Sequence, residues 1–100
     1  MLIYLIECKR DYETVYKIGY SKCKPNSRLR NLQTGNDGEL KLIETFETLH
    51  GQILERTIHR FLGHEHRRGE WLTLSLKDVL GFRALCEKIE KNLTFLKENQ

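Results

Sequence analysis

One hundred residues, 39% apolar and 31% charged, are enough for one hydrophobic core and exclude a disordered chain. The N-terminal apolar run Leu2 to Ile6 follows no basic segment and ends at Glu7. It is too short for a signal peptide or a membrane span, so a cytoplasmic, single-domain protein over residues 1–100 is expected. Cys8, Cys23 and Cys86 are widely spaced and form no C-x-x-C pair, which argues against a disulfide framework or structural zinc site and reads as reduced, mostly buried thiols. The net charge of +3 is modest but segregated, since residues 9–34 carry seven basic side chains against Asp11 and Glu13. Such a footprint suits a polyanion partner as well as an ordinary solvated surface.

Residues 1–8 (MLIYLIEC) are almost continuously apolar, β-branched or aromatic, as in a strand covered on both faces. The polar residues 9–13 turn the chain, and residues 14–20 (TVYKIGY) complete a β-hairpin in which Gly19 marks a bulge or a close backbone approach. Pro25 suits the first turn of a helix reaching about Leu32, and residues 33–38 (QTGNDG) stop it. Residues 39–48 (ELKLIETFET) read as a third strand.

The next segment, 51–63, is helical in period, with Ile53, Leu54, Thr57, Ile58, Phe61 and Leu62 on one stripe. Glu55 and His59 share the edge of that stripe. Residues 64–69 form a basic loop, in which His64-Glu65-His66 resembles a metal cluster but fits phosphate contact better. Residues 70–74 are extended, with Trp71 capping the core. Ser75-Leu76-Lys77-Asp78 then reads as a capping box opening a final helix over about 76–98. Its apolar positions Val79, Phe82, Cys86, Ile89, Leu93 and Leu96 form a seam for the body or for a partner helix.

Five blocks of this sequence, taken in order, resemble the GIY-YIG nuclease superfamily. They are Ile3-Tyr4, then Lys17-Ile18-Gly19-Tyr20-Ser21, then the run Arg28 to Asn36 (RLRNLQTGN), then Leu54 to Phe61 (LERTIHRF) followed by Arg68 to Leu72 (RGEWL). The similarity is to a small phage and bacterial subgroup and covers residues 1–75. Leu2 stands where the first motif has glycine, and Lys17 where the second has tyrosine. The latter is a variant seen in that subgroup, and it exchanges a phenol for a cation.

The resemblance implies an α+β fold, a three-stranded antiparallel sheet flanked by helices, with the final helix added. It implies an endonuclease that hydrolyses phosphodiester bonds in DNA with Mg²⁺ or Mn²⁺. Such a reaction needs an activated nucleophile, neutralised charge at phosphorus and a stabilised leaving oxygen. Tyr4 is then the general base or water-positioning group. A free phenol is a poor base near neutrality, so the role asks for a neighbouring cation, and Lys17 on the adjacent strand is that cation. Arg28 offers a planar fork to phosphate oxygens, and Arg30 contacts neighbouring phosphates. Glu55 is the single metal ligand, which suffices for a hard divalent ion that keeps its waters. His59 orients Glu55, assists proton transfer or satisfies a backbone carbonyl. Tyr16, Tyr20, Arg67 and Arg68 complete the substrate-binding set.

The partner is DNA, with RNA open, and no membrane is involved. Two other readings stay in view. One is a non-catalytic nucleic-acid-binding module of the same fold. The other is an adaptor whose final helix recruits a second copy or a partner protein.

Overall fold

The computed structural model describes residues 1–22, 39–62, 67–68 and 71–98. The expected helix near residues 25–32, with Arg28 and Arg30, lies outside the described residues, as do Cys23, the His64-Glu65-His66 run and Glu70. The elements are β1 (Leu2–Lys9), β2 (Thr14–Ser21), β3 (Glu39–Glu47), α1 (Gly51–Leu62), β4 (Arg67–Arg68), β5 (Trp71–Leu72), α2 (Leu76–Leu80) and α3 (Phe82–Glu98). The architecture is α+β. The three expected strands are extended by two short ones into an antiparallel sheet of order β3-β1-β2-β5-β4.

β1 is apolar along its length because it is central, with β2 on one side and β3 on the other. Residues alternate between faces along a strand, so its odd and even positions enter different layers. Ile3, Leu5 and Ile18 face Leu54 and Ile58 of α1 and Phe82, Cys86 and Ile89 of α3. On the opposite face Tyr4, Ile6, Cys8, Val15 and Leu40 form a second cluster, with Leu42 and Trp71 packed against it. Trp71 caps that cluster, and the Arg10 guanidinium stacks 5.6 Å from its ring centre.

The β1–β2 hairpin is closed by the Arg10 amide donating to the Glu13 carbonyl at 2.9 Å, and its register runs unbroken from Lys9–Thr14 to Leu2–Ser21. β3 slips by one residue, with Leu5 opposite Glu44 and Ile6 opposite Leu42. The extra residue, Ile43, packs with the helix-side cluster.

α1 forms where its period predicts, but turned about its axis. Leu54 and Ile58 are buried as expected, whereas Ile53 and Phe61 are 53% and 67% exposed. Gly51 and His59 take the buried places instead. The row 51, 55, 59 therefore faces the sheet, because His59 has a hydrogen-bond acceptor there that hydropathy does not register.

Ser75 caps α2 as expected, its hydroxyl accepting from the Asp78 amide at 3.1 Å while the Asp78 carboxylate accepts from the Ser75 amide at 3.3 Å. The single final helix expected over 76–98 is instead broken at Gly81 into α2 and α3. Most of its seam belongs to the body: Phe82, Cys86 and Ile89 are buried and Val79 and Leu93 pack beside them, leaving Leu96 exposed. Burial foremost, and then the Glu44 and Glu90 charges, push the Cys86 thiol up to about 12, which keeps it protonated and inert.

A polar tether locks α3 to the start of α1. The Thr48 hydroxyl and the Leu49 amide, the latter at 3.3 Å, donate to the two oxygens of Glu90. His50 Nε2 lies 3.7 Å from the same carboxylate. α1 has no acidic residue in its own first turn, so Glu90 supplies the negative charge that its amide dipoles favour. Glu90→Ala strands these donors, and hydrogen bonds to a charged group are worth about 1.5–3 kcal/mol. Urea denaturation of that variant is expected to show a loss of about 2 kcal/mol, with Glu90→Gln losing less.

Candidate active site

The hairpin register decides what surrounds Tyr4. Its partner across the strands is Gly19, and the next pair on the same face is Ile6 with Lys17. Tyr4 and Lys17 are thus diagonal neighbours, a relation that sets side-chain origins about 7–8 Å apart. Both are held in the fold, at 2% and 7% exposure. Gly19 is a close approach and not a bulge. A Cβ there would meet the Tyr4 hydroxyl and would lie 2.6 Å from Tyr4 Cζ. The tyrosine ring therefore rests on bare backbone.

Glu55 and His59 come from α1, one turn apart and on its sheet-facing row. Among the described residues β5 pairs with β2 at Tyr16 alone, and farther along that edge His59 Nε2 lies 3.1 Å from the Ile18 carbonyl. A carbonyl can only accept, so Nε2 carries the proton and donates. The nearer Glu55 oxygen lies 3.7 Å from this same nitrogen. The carboxylate is half-buried, 28% exposed, and so reachable from solvent.

One three-residue segment of β2 thereby joins the two pairs. Lys17 projects beside Tyr4 on one face, Gly19 supports the Tyr4 ring, and the Ile18 carbonyl between them accepts from His59, with Glu55 3.7 Å from the same ring nitrogen. The pairs reach β2 differently, since Tyr4 and Lys17 belong to the face opposite the one on which α1 packs.

The other expected site residues are more dispersed. Tyr16 and Tyr20 lie against the helix-side cluster. The Tyr16 hydroxyl donates to Glu7 at 3.5 Å, and its pKa is raised, by burial first and then by the Glu7 charge. Tyr20 lines a cleft with Met1, Lys22 and Gly51. Arg67 and Arg68 pair with Leu72 and Trp71 in β4, at the far end of the sheet. What residue types alone could not single out is the Ile18 carbonyl, because every residue has one.

Among the described residues no group of three His, Cys, Asp or Glu could hold a metal ion. A single half-exposed carboxylate fits a magnesium-type ion, which takes one or two carboxylates and fills its shell with water and phosphate oxygen. It does not fit a zinc-type cage of several nitrogen and sulfur ligands.

The T5orf172 domain profile matches residues 1–87. The chain belongs to the T5orf172 domain family. That family is associated with nuclease-like proteins of phages and bacteria, which points to a nucleic-acid-related role for this chain. The T5orf172 match runs past residue 75, where the recognisable motifs end, and takes in α2 and the first turns of α3. No curated protein and no solved structure matches the chain. No helix among the described residues is long and apolar enough to cross a membrane.

Proposed function

We propose that this T5orf172 domain is an endonuclease of the GIY-YIG type, hydrolysing phosphodiester bonds in DNA with Mg²⁺ or Mn²⁺. The observation that supports it most is the bond from His59 to the Ile18 carbonyl. It ties the helix bearing Glu55 to the strand segment bearing Lys17 and supporting Tyr4. The carboxylate reaches this stretch of backbone from the helix side, and the phenol and the ammonium from the opposite face.

In this reading the Tyr4 hydroxyl positions the attacking water or takes its proton. Lys17 balances the negative charge that gathers beside it. Arg28, by resemblance, grips the scissile phosphate and stabilises the charge that builds there. His59 keeps Glu55 facing the segment. A divalent ion held by Glu55 would supply Lewis-acid neutralisation at the phosphate. Because Tyr4 and Lys17 are supported by β1 and β2 themselves, their geometry is set before substrate arrives.

Incubation of supercoiled plasmid with the native protein and Mg²⁺, with EDTA and Glu55→Ala as controls, tests the proposal. Nicking that needs both the ion and Glu55 supports it. Absence of nicking, with DNA binding intact, replaces it with the non-catalytic binding module. An RNA of the same sequence as a competing substrate decides which nucleic acid is cut.

A further inference from the structure

Lys9, Arg10 and Arg83 lie beside acids: Glu7 at 3.9 Å, Glu13 at 3.5 Å, and Glu44 at 3.1 Å with Glu87 at 3.6 Å. Lys22, Arg56 and Arg60 are exposed, as are Lys41, Lys77, Lys88, Lys91 and Lys97, and no acid pairs with any of them among the described residues. What sets the first three apart is their place beside Glu55. Arg56 and Arg60 stand four apart on α1, about 6 Å along its axis, an arrangement in which like charges repel.

Gln52, Arg56 and Arg60 form the row next to Gly51, Glu55 and His59, on the solvent side of the Glu55 carboxylate. Lys22 stands at the head of that row, because it lines one cleft together with Gln52. The favourable field at a helix C-terminus accounts for Arg60, but not for Arg56 or Lys22.

We propose that Lys22, Arg56 and Arg60 form a rail for the sugar–phosphate backbone of duplex DNA, running along α1 past Glu55. This rests on the reading of DNA as substrate, but concerns binding and not cleavage. A backbone laid there relieves the Arg56–Arg60 repulsion and brings successive phosphates past the carboxylate. No base is read, so the rail contributes affinity and register without sequence preference.

Salt dependence of binding tests it, since each phosphate-neutralising cation contributes about 0.9 to the slope of log affinity against log salt on duplex DNA. Binding of the full chain to a fluorescent duplex is measured in EDTA over 50–200 mM salt. R56A/R60A is expected to lower the slope by about 1.8, and Lys22→Ala by about 0.9 more. At 0.1 M salt each lost contact weakens affinity on the order of tenfold. R56K/R60K keeps the slope, and Lys91→Ala, removing an exposed cation on α3, leaves it as in the native protein.

A native slope in folded R56A/R60A overturns the rail, as does an equal fall in Lys91→Ala. The nuclease reading fails separately. A shallower slope in a protein that nicks no plasmid upholds the rail and ends catalysis, whereas native slopes in an active nuclease do the reverse.

Discussion

Glu55→Ala is expected to cut Mg²⁺-dependent nicking by on the order of 10²–10³-fold, the usual scale for removing one stabiliser of transition-state charge. Binding to duplex DNA in EDTA is retained or tightened, because a negative charge leaves the neighbourhood of Arg56 and Arg60. Stability changes little, since the carboxylate is partly solvated and its one described partner, His59, keeps the Ile18 carbonyl. Glu55→Gln, with the shape but not the charge, behaves like the alanine variant if the carboxylate holds a cation. His59→Ala shows a different pattern. It leaves a main-chain acceptor without its donor, at about 1–3 kcal/mol, and also frees Glu55. Plasmid nicking and urea denaturation on the same preparations separate the two. Full nicking by Glu55→Ala would sink the catalytic assignment.

Gly19→Ala is expected to damage fold and activity together. The added methyl lies 2.6 Å from Tyr4 Cζ and 3.1 Å from Cε2. It cannot be accommodated by swinging a loose side chain away, because Tyr4 is 2% exposed within a packed cluster. Overpacking of this kind costs about 1–3 kcal/mol, and Gly19→Val should cost more. Any relief moves the ring, and a displacement of about 1 Å in a catalytic group can cost on the order of 10²-fold in rate. Y4F/G19A distinguishes the effects. Removing the hydroxyl takes away the closest collision, so part of the stability returns, while nicking does not. Gly19→Ala matching the native protein in urea midpoint and nicking rate would show that the tyrosine does not depend on bare backbone beneath it.

The strands were legible because their residues carry the signal locally. Residues 1–8 read as doubly covered, and β1 is the central strand with a cluster on each face. Ser75 and Asp78 identified a cap from two side chains at fixed spacing. Placement of Tyr4 and Lys17 on one face follows from hairpin register alone, since Gly19, the partner of Tyr4, is two residues from Lys17. Other features had no local signal. β4 and β5 are two-residue strands, too short for any period. The rotation of α1 was hidden because Ile53 and Phe61 are as apolar as Leu54 and Ile58. What turned the helix is a histidine seeking a main-chain acceptor on a strand 41 positions away. The expected Arg28 and Arg30 contacts fall outside the described residues.

β3 ends the sheet on one side among the described residues, and at nine residues it is the longest strand. A ledge of that length is a template on which identical chains can stack edge to edge. Two properties of β3 work against such stacking. The slip at Ile43 breaks the straight run of amides and carbonyls, and Glu39, Lys41, Glu44 and Glu47 scatter charge along the strand. Beside a central strand so apolar, that irregular, charged margin works against growth of the sheet from copy to copy.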